Sequence, residues 1–294
     1  TILNGIANSL NAVSVNTLDK IGTRYSFDFL KNSFRINNLV ELDEYGNTDI
    51  SYSPLGLGGL TEGATVRDVA SAYATFANDG VYREGLTFTK VYDSEGNLIL
   101  DNTQDTRSIL SKKTVDYMNY CLLNAVTSGT GAAAYIDGHN VAGKTGTTGD
   151  NKDRWFCGYT GYYTAAVWCG YDIPEVIYLT GNTRTNPACR LFKKVIEPLH
   201  QGLNRVDMYD ESKFEEIEIC LDCGKLATDA CKSDVRGDRT EHVYVYSEDR
   251  PKSSCDQHIA VDFCTVGNAT ANEYCRKFAE KENLPYLCTS NLKD

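Results

Sequence analysis

The stretch from Val141 to Tyr171 constrains this chain more than any other. Two runs rich in aromatic and β-branched residues, Trp155 to Tyr159 and Tyr163 to Tyr171, flank a short polar link containing Gly161. That pattern predicts a β-hairpin, because such side chains suit a pleated, half-buried surface. A third strand is expected to carry Lys144, Thr145, Gly146 and Thr147 beside it.

Two readings compete for Lys144. Gly138 to Thr145 is a complete Gly-x4-Gly-Lys-Thr match, the pattern of a phosphate-binding loop. Such a loop needs a buried strand before it and a helix opening at its Lys-Thr, whose N-terminal amides hold the anion. The flanks supply neither. Gly146, Gly149, Asp150 and Asn151 break helices, and Ala132 to Asp137 is a poor buried strand. A nucleotide-binding protein is therefore only an alternative. The other reading is a Lys-Thr-Gly edge strand lining an acyl-transfer site. Lys144 would offer a fixed positive charge to a substrate carboxylate, the hydroxyls of Thr145 and Thr147 would orient it, and Gly146 would let a ligand approach the backbone.

Lys-Thr-Gly, with a Ser-x-Asn type element and an upstream Ser-x-x-Lys, marks penicillin-binding proteins and serine β-lactamases. Val141 to Tyr171, running on into Asp172, resembles a block of the transpeptidase domain of bifunctional, class A penicillin-binding proteins. So do Leu55 to Gly59, Ala70 to Gly80 and Gly129-Thr130-Gly131. Ser9-Leu10-Asn11 fits the Ser-x-Asn element, although Ser9 could simply cap a helix. The resemblance covers about residues 1 to 205. It implies an α+β fold, with an antiparallel sheet flanked by helices, incomplete at its N-terminal side. It also implies a D,D-transpeptidase that acylates an active-site serine with D-Ala-D-Ala stem peptides of peptidoglycan, and that β-lactam antibiotics trap. Ser9 is then a proton-relaying hydroxyl and Asn11 a donor to the substrate amide. Lys144 and Thr145 hold the carboxylate, Thr147 gives one oxyanion-hole N–H, and Gly146 and Thr148 complete the substrate-binding strand.

No Ser-x-x-Lys precedes Ser9. Ser290 to Lys293 fits those letters but sits in the terminal tail, so no nucleophile is assigned in this chain. Without serine and lysine base no acyl enzyme can form, and the chain alone is expected to be inactive. The missing N-terminal part of the same protein is thus an expected partner. A glycosyltransferase domain and a membrane helix are expected further upstream, placing the parent on the extracytoplasmic face of the bacterial cell membrane. Two rival readings of the same motifs are a serine β-lactamase-like hydrolase and a non-catalytic wall-binding module.

The 294 residues, 41% hydrophobic, suffice for a core and a second small domain, and the net charge of -11 argues against nucleic-acid binding. No apolar run is long enough to cross a bilayer, and the chain begins at Thr1 rather than Met, so a piece of a longer protein is expected. A modest helical pattern ends at Gly22, and Ser53 to Gly59 reads as turn-rich. A Thr65-capped helix carries an apolar stripe at Val66, Val69, Ala70, Tyr73, Phe76 and Ala77. Thr87 to Leu100 reads as a hairpin turning at Asp93 to Gly96, and a Ser111-capped helix runs to Gly129. Leu191, Val195, Ile196 and Leu199 have helical spacing, interrupted by Pro198. Loss of the segment carrying the nucleophile should leave apolar surface open.

Composition changes near Tyr209, which divides the chain into a partial transpeptidase domain (1–208) and a cysteine-rich acidic module (209–294). From Asp210 onward there are 18 acidic and 11 basic side chains and seven of the eleven cysteines. A weak repeat relates Cys220–Cys231 to Cys264–Cys275, 44 residues apart. Disulfides are the expected use of these cysteines, since a small module facing outward needs cross-links. Cys220-x2-Cys223 with Cys255-x2-His258 also suits zinc, as a weaker alternative. No cofactor is otherwise expected. Cys121, Cys157, Cys169 and Cys189 read as small buried residues, and His139, His200 and His242 as isolated structural ones.

Overall fold

The aromatic and β-branched runs pair as the pattern requires. β5 (Ala142–Thr147), β6 (Arg154–Tyr159) and β7 (Thr164–Cys169) form a three-stranded antiparallel sheet in that order, with Lys144 opposite Cys157 and Trp155 opposite Trp168. Lys144 therefore lies on an outer strand. The computed structural model describes residues 1–179, 185–234, 236–264, 269–270, 272–274 and 287–292, without side chains for 260–264, 269–270 and 287–292. It divides into Thr1–Tyr209 and Asp210–Asp294.

Before the sheet come α1 (Ile2–Ala7), α2 (Asn11–Ile21), α3 (Thr23–Asn32), α4 (Tyr52–Leu57), α5 (Val66–Ala77) and α6 (Lys112–Thr127). Between the last two lie the short pairs β1 (Val81–Arg83) with β4 (Thr106–Ser108), and β2 (Lys90–Tyr92) with β3 (Leu98–Asp101). After the sheet comes α7 (Pro187–Ile196). This is the α+β arrangement expected, with Phe156 packed on Phe192 of α7 and Tyr159 in a cluster with Leu122 of α6 and Tyr73 and Phe76 of α5.

The caps form as written: the hydroxyls of Thr65 and Ser111 accept the N–H groups of Asp68 and Thr114. Two local readings change. Ser53 to Gly59 is mostly helical, because Pro54 falls in the first turn of α4, where its missing N–H costs nothing, and Gly58 closes it in the left-handed region. The α5 stripe is core in part: Tyr73 and Phe76 pack into it, whereas Val66 and Ala77 are exposed and Asp68, Ser71 and Thr75 are the most buried residues of the helix. In α7 the buried residues are Ala188, Cys189, Phe192 and Ile196, and a 3-10 turn follows over Glu197–His200 at Pro198. Leu191, Val195 and Leu199 form an exposed apolar stripe.

His200 is not isolated. Its ring packs on His139, 4.6 Å between centroids, and its nitrogens bond the Ile196 carbonyl and the Thr160 hydroxyl, so it acts as a buried tie. Cys121, Cys157 and Cys189 are buried free thiols and Cys169 is half-buried. Among the described residues no helix is long and apolar enough to cross a membrane.

In the second unit β8 (Phe214–Cys220) pairs with β9 (Thr240–Tyr246), with α8 (Asp229–Lys232) between them in sequence. β10 (His258–Cys264) pairs with β11 (Ala269–Thr270) and β12 (Leu287–Leu292). Cys220 and Cys264 each close a seven-residue strand, a structural counterpart of the repeat. The rest of its second copy, Cys275 included, lies outside the described residues. Ser290 belongs to β12, paired with Ala260, rather than to a loose tail, and Lys293 lies outside the described residues.

Asn119 of α6 ties three segments of the first unit. It accepts from the buried Tyr159 hydroxyl at 2.6 Å and donates to the carbonyls of Met208 (2.7 Å) and Phe76 (3.4 Å). Tyr159→Phe leaves a buried acceptor short of a partner and should cost about 1–3 kcal/mol, read as a lower urea midpoint at unchanged slope.

Candidate active site

The chain leaves α1 through Asn8 and turns at Ser9 before α2 opens at Asn11. Ser9 has φ +55°, a left-handed conformation unusual for a residue with a Cβ. It does not cap the helix, for Leu10 holds that position. Its side chain is turned instead to β5, where Lys144 Nζ donates to Ser9 Oγ at 2.9 Å. The same ammonium donates to the Thr145 carbonyl at 2.9 Å and reaches the Thr145 hydroxyl at 3.4 Å. Residues 135 positions apart in sequence thus share one contact.

A cleft of about 340 Å³ opens at this contact, lined among others by Ser9, Asn11, Ser14, Gly56, Lys144 and Thr145. Ser14 donates to the Gly56 carbonyl, fastening α2 to α4 along the cleft. Burial pushes the Lys144 ammonium below the usual lysine range. The folded state therefore releases this proton at lower pH than the unfolded chain does, and stability rises with pH across that interval. A carboxylate entering the cleft would pair with the ammonium and hold it charged.

The remaining strand residues are placed differently. Thr147 Oγ1 accepts from Arg154 at 3.2 Å, and Thr148 exchanges hydrogen bonds with Asp153, its hydroxyl donating to Oδ2 at 2.8 Å and accepting from the amide at 2.9 Å. A Cβ on Gly146 would stand 3.1 Å from Trp155 Cβ, so cross-strand packing is one reason for glycine there. Asp153 also accepts from Trp168 Nε1 at 2.8 Å, which fixes the turn from β5 to β6.

Strand β5 from Ala142 to Thr147 also removes the phosphate-loop alternative. Lys144 and Thr145 lie in mid-strand with no helix opening there, and Ala132–Ala134 upstream is a 3-10 turn. The helix N-terminus that holds the anion in a phosphate loop is replaced by strand at Lys144 and Thr145.

Sequence reasoning missed Thr130. Its hydroxyl lies 2.8 Å from that of Thr145, and its amide donates to the Ala7 carbonyl at 3.0 Å. Gly129 and Gly131 allow this close approach; a Cβ on Gly129 would meet Ala7 O at 2.3 Å and Ala125 O at 2.9 Å. The two flanking glycines were the available signal.

Residues 1–192 match the family described as the penicillin binding protein transpeptidase domain. Penicillin-binding protein 1A of Clostridium perfringens is 34% identical over 218 residues, 72% of this chain and 26% of that protein. Penicillin-binding protein 1A of Clostridium botulinum is 29% identical over 286 residues, 97% of this chain and 32% of that protein. The chain thus spans 26% and 32% of these two relatives. Its fold is similar to the crystal structure of penicillin-binding protein 1A from Haemophilus influenzae, with TM-score 0.61 over 86% of this chain and 41% of that one, at 17% identity.

Gly129→Ala forces α1 away from the end of α6 and should cost about 1–3 kcal/mol through overpacking. Hydrogen exchange of the α1 amides is expected to accelerate as Ser9 moves off Lys144. Unchanged exchange would contradict the clamp.

Proposed function

Because this chain belongs to the penicillin-binding protein transpeptidase family, we propose that it supplies one wall of a peptidoglycan D,D-transpeptidase site whose nucleophile lies elsewhere in the whole protein. The observation that carries this reading is the 2.9 Å contact from Lys144 Nζ to Ser9 Oγ, which joins the Lys-Thr-Gly strand to the Ser-x-Asn turn at one cleft.

In the whole protein, a Ser-x-x-Lys serine attacks the carbonyl between the two D-alanines of a stem peptide. A serine ester bond forms, the amide C–N bond breaks, and the departing D-alanine nitrogen takes a proton. An amine of a neighbouring stem then displaces the serine. Lys144 and Thr145 hold the terminal carboxylate of the donor peptide. Ser9, hydrogen-bonded to that ammonium, lies on the route by which the proton reaches the leaving nitrogen, and Thr130 steadies the Thr145 hydroxyl. Asn11 orients the substrate amide from the first turn of α2, and the Thr147 N–H stabilises the oxyanion. Gly146 keeps that strand slim beside the substrate, and Thr148 holds its end through Asp153.

β-Lactam antibiotics occupy the same cleft and acylate the same serine. The whole protein is further proposed to carry a glycosyltransferase domain and a membrane anchor, and to work on the extracytoplasmic face of the bacterial membrane.

Fluorescent penicillin tests the reading. The whole protein should label covalently, and the present chain alone should not. In the whole protein, Lys144→Ala should slow labelling by roughly 100-fold, the scale of losing one electrostatic contact that matures in the transition state. Labelling should also decline on the alkaline side at a pH below the ordinary lysine range, because loss of the Lys144 proton removes the carboxylate's partner. Lys144→Arg, which stays charged, should flatten that limb. Full-rate labelling of the isolated chain, or indifference to Lys144→Ala, would refute the proposal.

A further inference from the structure

The second unit is expected from sequence to be stapled by disulfides, yet Cys220, Cys223, Cys231 and Cys255 are all free thiols. They are gathered at one point. Cys220 and Cys231 are 0% exposed, Cys255 is 8% exposed and His258 is 3% exposed. Ligand atoms of Cys220, Cys231, Cys255 and His258 all lie within 4.8 Å of one another. The sulfurs converge on a common centre instead of pairing off.

Local structure explains the convergence. Cys220 ends β8, and the chain folds back at once, with Gly224 at φ +72° and its N–H on the Cys220 carbonyl at 2.8 Å. Backbone amides of Asp222 and Cys223 point at the Cys220 sulfur, and those of Gln257 and His258 at the Cys255 sulfur. The Cys231 sulfur has the Thr228 amide and hydroxyl each at 3.4 Å.

The imidazole is equally directed. His258 Nδ1 lies 3.4 Å from Cys220 Sγ and 3.3 Å from Cys255 Sγ. A tetrahedral zinc with its usual bond lengths needs sulfur–nitrogen edges of about 3.5 Å. The other nitrogen, Nε2, lies 3.0 Å from carboxylate oxygens of both Asp222 and Asp234. A metal-binding histidine commonly gives its second N–H to such a carboxylate, which fixes tautomer and orientation. Asp222 and Asp234 are themselves held by Arg236 at 2.8 Å each, and Asp222 also by Arg239 at 2.9 Å. Those guanidinium groups occupy the carboxylates and would repel a cation there, which leaves the thiol side as the binding side.

We propose that Cys220, Cys231, Cys255 and His258 Nδ1 bind one zinc ion, which clips the turn after β8, helix α8 and the start of β10 to one another. Zn²⁺ displaces the three thiol protons to solvent and meets a neutral imidazole, giving a closed tetrahedral site with no open position, structural rather than catalytic. Cys223 packs against the cluster and its thiol hydrogen-bonds Cys220 and Cys255, but it is not among the ligand atoms that all lie within 4.8 Å of one another, so it is left out of the ligand set. The need is plain: besides this cluster, the buried hydrophobic side chains described in the second unit are only Ile217 and Tyr246.

The test uses the full chain, purified reduced and without chelator. Elemental analysis should find about one zinc per chain, released by a mercurial thiol reagent. Replacement by Co²⁺ should give thiolate-to-cobalt charge transfer and the intense visible bands of a tetrahedral ion. Cys255→Ser and His258→Ala should drop the metal below a tenth of an equivalent, whereas Cys223→Ser should keep it. Should Cys255→Ser not fold, Cys231→Ser and the cobalt spectrum of the unaltered chain decide the matter. A folded, metal-free chain that takes up no cobalt overturns the proposal, as does mass spectrometry showing these cysteines oxidised in pairs. Loss of metal from Cys223→Ser with retention in Cys231→Ser overturns the ligand set.

Discussion

The first unit depends on the seating of Phe156. The ring is fully buried, packs edge-on against Phe192 at 4.9 Å, and lies where Cβ atoms on Gly143 and Gly158 would stand, at 2.6 Å and 2.5 Å from ring carbons. Those two glycines face each other across β5 and β6. Larger residues there would push the strands off the aromatic core, and interiors packed to crystal density have little room to absorb the shift. Register follows from this packing, and a one-residue slip would turn Lys144 to the opposite face of the sheet.

The cleft inherits its precision from that register and from a second contact at the far end of α6. The Gly129-Thr130-Gly131 turn bonds the Ala7 carbonyl and so positions the Ser9 turn, while Thr130 also reaches Thr145. The left-handed backbone of Ser9 would ordinarily be avoided, at a cost of order 1–2 kcal/mol. It persists because α1, α2 and the Lys144 contact hold it from several sides. Strain of that kind, over-determined by its surroundings, is common where a side chain must be aimed rather than merely packed.

The second unit solves a different problem. It is acidic and small, and its described aliphatic and aromatic core is slight, so soft ligands and charge pairs take the place that apolar volume has in the first unit. Free thiols gathered around an imidazole form a more directional core than hydrocarbon, because each sulfur is approached by particular donors.

Local chemistry was readable from the residues themselves. Alternation of aromatic and β-branched side chains specified the hairpin, Thr65 and Ser111 specified two helix starts, and the helix-breaking residues after Lys144 settled strand against phosphate loop. Each of these is decided within a few neighbours. That Asp68 of α5 is buried beside the Tyr73 and Phe76 stripe, and which face of α7 is buried, was not readable, because Asp68 and Phe192 answer to elements distant in sequence rather than to their own periodicity. Nor was the convergence of Thr130 on Thr145, of His139 on His200, or of Cys231 on Cys220 and His258. Sequence by itself determined the elements and the chemical groups they carry; only the tertiary structure decided which groups meet, since distances between remote residues are set by the packing of the whole unit and not by any local rule.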